Sequence, residues 1–256
     1  MTTIAVADAP VVQYALRLAD NALVLGHRLS EWCGHGPMLE EDIALANIAL
    51  DLIGQARALY AYAGAAEGEG RDEDQLAYLR DAGGYRNVLL VEQPNGDFAV
   101  TIARQFLYAA YQAPFWRALS GSRDGTLAAI AAKAEKEAAY HLRHAAEWLI
   151  RLGDGTAESH ERTQAALDDL WMYTGELFEA DAIERGLAER GVAVDPAAVR
   201  PEWDETVDRV LAEATLARPP DGWMQTGGRT GRHSEHLGYI LAELQFLQRA
   251  YPGAKW

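Results

Sequence analysis

The residues of this 256-residue chain best placed for metal chemistry are a glutamate and two histidines near its middle. Glu137, His141 and His144 are spaced four and three residues apart, so they share one face of a predicted helix. A carboxylate and two imidazoles on one helix face can bind a metal ion inside a helical bundle. The alternative is structural, because Glu137 and His141 can pair with each other one helical turn apart. The spacing alone favours this structural alternative.

Polar residues also interrupt the apolar face of an earlier predicted helix. Gln55 lies within an apolar stripe of that helix, and Asn47 and Asp51 lie on the stripe beside it. A buried polar group without a partner costs about 1–3 kcal/mol, so these side chains must find partners. We predict a structural polar network in the core, with these members: Asn47, Asp51, Gln55, Arg104, Glu137 and His141.

Two further groups lie near the C terminus. His233 and His236 are three residues apart, but a metal site there lacks a third ligand, and we expect both histidines to be solvated at a helix start. Arg229 and Arg232 lie beside a glycine-rich segment, and they are candidates for contact with a phosphate or with carboxylates of a partner.

Helical periodicity must position these residues, because strand signals are nearly absent. Long helices are predicted over about 10–32, 38–66, 98–119 and 126–152. A helical stretch over about 158–190 is predicted to bend near Gly175, and shorter helices follow it. Four helices of more than 20 residues with short connections predict an all-α bundle with additional C-terminal helices. No linker divides the chain, so we expect one domain over residues 1–256.

Composition restricts the class of function. The chain has 23 Lys and Arg against 38 Asp and Glu, a formal net charge of −15, which argues against binding to nucleic acid or to an anionic membrane. The single cysteine, Cys33, excludes a disulfide framework and fits a reducing compartment. We find no signal-peptide pattern and no apolar run long enough to span a bilayer, and therefore expect a cytoplasmic protein.

A long-helix bundle raises the hypothesis of a carboxylate-bridged di-iron centre, which needs four carboxylates and two histidines. Two of its helices each supply a Glu-x-x-His pair, yet no histidine of this chain has an acidic residue three positions before it. The predicted helix over 98–119 contains no Asp or Glu. The usual centre therefore cannot be assembled from these residues. A metal-dependent oxygenase with non-standard ligation through Glu137 and His141, with Asp51 as a further ligand, is the alternative.

Several segments of the sequence resemble the PaaC family, the non-catalytic subunits of phenylacetyl-CoA 1,2-epoxidase. Together they cover nearly the whole chain in order: DNALVLGHRLSEWCGH at 20–35, LANIALDLIGQAR at 45–57, LLVEQPNG at 89–96, KEAAYHLR at 136–143, TGG at 226–228, HSEHLG at 233–238 and LAELQ at 241–245. The resemblance implies a ferritin-like helical bundle that has lost its metal. The former ligand positions would then be Leu52, Gln55, Ala138 and His141.

The resemblance also implies partners and a reaction. In that family this subunit pairs with a homologous catalytic subunit that carries the di-iron centre and the substrate site. The complex receives electrons from a reductase subunit and transfers one oxygen atom of O₂ to the ring of phenylacetyl-CoA, in aerobic phenylacetate catabolism. We therefore expect no cofactor in this chain, iron in the catalytic partner, and a hetero-oligomer, with a homodimer when the chain is alone. A self-assembling helical storage protein is a third hypothesis.

Overall fold

The computed structural model of the protein describes residues 3–254, and these form helices without any strand. In chain order the α-helices are α1 (Pro10–Ser30), α2 (Leu39–Glu67), α3 (Glu73–Tyr78), α4 (Leu89–Glu92), α5 (Phe98–Leu119), α6 (Gly125–Gly153), α7 (Ala157–Trp171), α8 (Ala182–Glu189), α9 (Arg200–Glu213), α10 (Glu235–Leu244) and α11 (Phe246–Ala250). The expected all-α, ferritin-like bundle with additional C-terminal helices is confirmed.

Four long helices form the bundle. α1 packs along α2, and α5 packs along α6, and the short connections make each pair a helical hairpin. α1 and α5 are buried along almost their whole length, as expected for helices that have neighbours on every side. α2 and α6 lie outside them, with one face toward the core and one toward solvent.

Local signals explain where the long helices begin and end. The Asp97 carboxylate accepts a hydrogen bond from the Val100 N–H at the start of α5, and Asp124 caps α6 in the same way. Gly68, in the left-handed region at φ 77°, ends α2. The predicted stretch over 158–190 is divided into α7, a 3₁₀ turn over Gly175–Phe178, and α8. It divides because Asp181 caps α8 and so begins a new helix.

A buried ion pair holds α1 to the segment that follows α3. Asp20 is fully buried and accepts hydrogen bonds from Arg80 Nη1 at 3.0 Å, the Tyr60 hydroxyl at 2.5 Å and the Arg86 backbone N–H at 2.7 Å. The Arg80 guanidinium also lies over the Tyr85 ring, 4.4 Å from its centroid. Both oxygens of the Asp20 carboxylate are therefore paired within the protein.

A second buried carboxylate fastens the C-terminal part to the bundle. Glu176 is fully buried, and its side chain accepts backbone hydrogen bonds from Leu89 at 2.7 Å and Gly227 at 2.9 Å. Three segments that are far apart in the sequence thus meet at one side chain.

Every helix within residues 3–254 is too short or too polar to cross a lipid bilayer.

Candidate functional site: the interface between α2 and α6

The four positions that the family resemblance assigns to former metal ligands lie on the core sides of α2 and α6. Leu52 and Ala138 are fully buried among apolar side chains. Gln55 and His141 are also buried, at 4% and 0% exposure. The positions are thus interior, as in a metal centre, but two of them carry no donor atom at all.

Three polar contacts join α2 to α6, and we call them the α2–α6 ladder. Gln55 Nε2 donates a hydrogen bond to Glu137 Oε2 at 2.9 Å. His141 Nε2 lies 3.1 Å from Asp51 Oδ2. The third contact is His144 Nε2 to Glu41 Oε2, at 2.8 Å. In the neutral tautomer protonated at Nε2, each histidine donates to its carboxylate, so the ladder forms without any metal ion.

The carboxylates of the ladder already have partners, which leaves few free oxygens to bind a metal ion. Glu137 receives the Gln55 amide on one oxygen, and Lys133 Nζ lies 3.3 Å from the other. The Asp51 side chain is 37% exposed and turned toward His141 at the edge of the core. The expected association of Asp51, Gln55, Glu137 and His141 therefore occurs, but as two separate pairs.

The structure places two members of the predicted network elsewhere. Asn47 is exposed on the outer side of α2. Arg104 is fully buried on α5, where it donates to the Gln93 carbonyl at 2.5 Å and to Asn95 Oδ1 at 2.7 Å. Burial lowers the pKa of Arg104 to about 9. Arg104 is thus outside the network because the segment before α5 offers carbonyl and amide oxygens to its guanidinium.

Arg229 is not available as an anion site. Its guanidinium donates to both carboxylate oxygens of Glu184, at 2.6 and 2.7 Å, and to the backbone carbonyls of Leu177 and Glu179. An internal ion pair therefore replaces the expected contact with a phosphate or a partner. Arg232 is exposed and makes no side-chain ion pair with residues 3–254.

The expectation of solvated histidines near the C terminus is wrong for His233, whose side chain is 4% exposed. Its Nδ1 lies 2.8 Å from Glu92 Oε2, and its Nε2 lies 3.0 Å from the Tyr85 carbonyl oxygen. Both ring nitrogens face acceptors, so a doubly protonated ring can donate to both. Burial would lower the pKa of His233, but the bond to Glu92 and the negative charge there outweigh it, and the pKa is raised.

Sequence reasoning missed Glu92 and Glu176 as buried carboxylates. Glu92 accepts from Asn87 Nδ2 at 2.9 Å and from the Ser234 N–H at 2.6 Å, in addition to His233. A signal was present, since Glu92 follows the apolar run Leu89–Val91 directly. For Glu176 no local pattern exists, because its donors are 87 and 51 residues away.

The residues present do not fit a di-iron centre. The four former ligand positions supply one imidazole and one amide, and α5 supplies no carboxylate. Across the part of the chain that the structure describes, no three His, Cys, Asp or Glu side chains are grouped closely enough to hold one metal ion.

Comparisons with known proteins show the family of this chain. A family model described as phenylacetic acid catabolic protein matches residues 1–256. One of the subunits of the 1,2-phenylacetyl-CoA epoxidase of Escherichia coli (strain K12) is 54% identical over 243 residues, which cover 95% of this chain and 98% of that protein. The chain therefore belongs to the phenylacetic acid catabolic protein family.

Proposed function

We propose that this chain is the non-catalytic, structural subunit of a phenylacetyl-CoA 1,2-epoxidase and stabilises a homologous di-iron catalytic subunit. The observation that carries the proposal is the donor set at Leu52, Gln55, Ala138 and His141, which retains a single imidazole. The family and the name of the 54% identical relative support a place in this enzyme complex.

The packing at the former ligand positions supports a structural role. Four carboxylates facing one another in a bundle centre repel each other strongly unless metal ions offset them. A subunit without iron avoids this cost by having apolar or neutral side chains there, as at Leu52 and Ala138. The α2–α6 ladder supplies cross-links between the same helices by hydrogen bonding instead.

The subunits of the complex have different roles. The catalytic subunit holds the iron and the substrate, and a reductase delivers electrons to it. This chain, which takes no cofactor, keeps the metal-binding helices of the catalytic subunit aligned by packing against that subunit.

Co-expression with the catalytic subunit tests the proposal. We expect the two chains to co-elute in size-exclusion chromatography, and we expect epoxidation in the presence of the reductase to require both. Full epoxidase activity without this chain, or separate elution of the two subunits, would overturn the proposal.

A second candidate is a metal-dependent oxygenase that uses Glu137, His141 and Asp51, which would have to rearrange to share one metal ion. The observation that favours it is the 3.1 Å contact between His141 and Asp51, with Glu137 one turn away on α6. It requires stoichiometric iron in the purified chain that is lost in His141→Ala and kept in His35→Ala, a histidine on the exposed connection after α1.

A further inference from the structure

The outward side of α2 is largely apolar where a solvated helix would be polar. Its exposed and half-buried positions follow steps of three and four residues, and we call them the α2 stripe: Leu39, Ile43, Asn47, Leu50, Gly54, Ala58 and Ala61. Leu39, Ile43 and Leu50 are 72%, 53% and 65% exposed. Single exposed apolar residues are ordinary on a protein surface, but an extended apolar stripe marks an interaction site.

A groove between α2 and α6 lies beside this stripe. It has a volume of about 250 Å³, and small residues of both helices form its walls, among them Gly54, Ala58, Ala129 and Ala134. A β-carbon added at Gly54 would meet no atom within 4 Å, so the groove is open at that point. The separation between the helices thus leaves room for side chains of another helix.

Charged side chains of α6 lie in and beside the groove: Lys133 and Glu137 line it and pair with each other at 3.3 Å. The chain has three lysines, and the two within residues 3–254 are Lys133 and Lys136 on α6, where Arg143 follows two turns later. Lys136 and Arg143 form no ion pair inside the described chain, and Tyr140 lies between them at 39% exposure. These two unpaired cations on a chain with net charge −15 favour a partner that presents carboxylates.

We propose that the α2 stripe and the adjoining groove bind a helix of the catalytic subunit, one whose apolar side is flanked by carboxylates. This proposal rests on the proposed function and names the surface that carries it out. The stripe supplies apolar area, and Lys136 and Arg143 supply charge complementarity.

A second exposed apolar patch provides the matched control. It lies on α10 and α11 and comprises Tyr239, Phe246, Leu247 and Tyr251. The cavity beside it has a volume of about 450 Å³, and Arg249 in its wall is already paired with Asp81 at 2.8 Å. Among the residues within 3–254 that line this cavity, Arg249 is the single cation, so the patch offers apolar area with its cation already paired.

The test compares Leu50→Asp with Phe246→Asp in the reconstituted complex of this chain and the catalytic subunit. Both side chains are more than half exposed, so each variant should keep its fold, checked by its melting temperature. Leu50→Asp is expected to weaken binding by about tenfold or more, because it puts a charge into an apolar interface. Phe246→Asp should bind within about twofold of the wild type.

A double variant, Lys136→Glu with Arg143→Glu, tests the charge argument separately. Its loss of affinity should be larger at low salt than at high salt. If the wild type binds the catalytic subunit and Leu50→Asp binds equally well, the docking proposal fails while the proposed function stands. If the wild type does not bind, the proposed function itself fails. A change in the oligomeric mass of the isolated chain on Leu50→Asp would assign the face to a second copy and overturn the proposal.

Discussion

Gln55 on α2 and Glu137 on α6 are joined by one hydrogen bond, from the amide Nε2 to the carboxylate Oε2 at 2.9 Å. The amide donates, so it satisfies a largely buried carboxylate without adding a charge to the bundle. The two helices are thus linked at Gln55, one of the positions that the family resemblance assigns to a former ligand.

The energy of this link can be measured with Gln55→Ala, Glu137→Ala and the double variant. We expect a coupling free energy of about 1 kcal/mol from chemical denaturation, because each single variant leaves a partner without its hydrogen bond. Strictly additive effects of the two substitutions would show that the contact contributes nothing to stability.

Introducing a carboxylate at a former ligand position should destabilise the chain. In Leu52→Glu the new carboxyl group is surrounded by apolar side chains, and we expect a loss of about 3–5 kcal/mol in the free energy of unfolding near pH 7. Burial raises the pKa of such a group, so the loss should shrink as the pH falls toward about 5. Leu52→Met, the control, should cost less than about 1.5 kcal/mol. Equal stability of Leu52→Glu and the wild type at neutral pH would contradict a dry, metal-free core.

The contact between His233 and Glu92 predicts a pH dependence of stability. Because the pKa of His233 is raised in the folded state, its contribution is fully present below the unfolded pKa and is lost as the pH rises through the folded pKa. His233→Gln should cost about 2 kcal/mol at pH 6, since Glu92 keeps a bond but loses its counter-charge. The gap between variant and wild type should narrow toward alkaline pH.

The measurement is urea denaturation at a series of pH values. His35→Gln serves as the control, because His35 is exposed. A gap between His233→Gln and the wild type that widens with rising pH would show that the ring is neutral in the folded protein.

The free energy of unfolding should fall strongly when the buried pair of Asp20 and Arg80 loses one of its charges. Asp20→Asn keeps the shape but leaves the Arg80 guanidinium without a counter-charge, which should cost about 3–5 kcal/mol. Asp181→Asn breaks a pair with Arg17 in which the aspartate is 43% exposed, and it should cost about 1 kcal/mol or less. Chemical denaturation gives the free energy of unfolding of both variants. Similar losses in the two would show that burial of an ion pair does not raise the cost of removing one charge.

Two glycines of α2 should respond to alanine in opposite directions. A β-carbon at Gly64 would lie 2.2 Å from the Arg71 carbonyl oxygen, so Gly64→Ala should destabilise the chain by about 1–3 kcal/mol. Gly54 has open space around it, and Gly54→Ala should stabilise the isolated chain by about 0.5–1 kcal/mol. Thermal melting distinguishes the two. Because Gly54 lines the groove, the same variant should weaken binding of the catalytic subunit although it stabilises this chain.

The long helices could be predicted from the sequence because their signals are local. The prediction of a helix over 98–119 coincides with α5, where Asp97 supplies the cap at one end. The predicted helix over 38–66 agrees with α2 to within one residue at each end. Caps, glycines and helical periodicity act over one or two turns, so a single sequence contains them.

The environment of individual polar residues could not be predicted in the same way. Arg104 and Arg229 have strong partners that lie in other segments, and only the fold brings those segments together. His233 was expected in solvent, but Glu92 lies 141 residues before it in the chain. The lack of Glu-x-x-His pairs can be read directly from the sequence, because the spacing of donors along a helix is itself local.

The side chain of Glu176 links the segments near residues 89, 176 and 227. We therefore expect these three segments to open together in local unfolding. The amides of Leu89 and Gly227 cannot be released separately without leaving a buried carboxylate short of donors. Native-state hydrogen exchange should therefore show these two amides exchanging with the same opening free energy, although 138 residues separate them in the sequence. The C-terminal helices are thus expected to open together with the segment that leads into α5, and not as an independent tail.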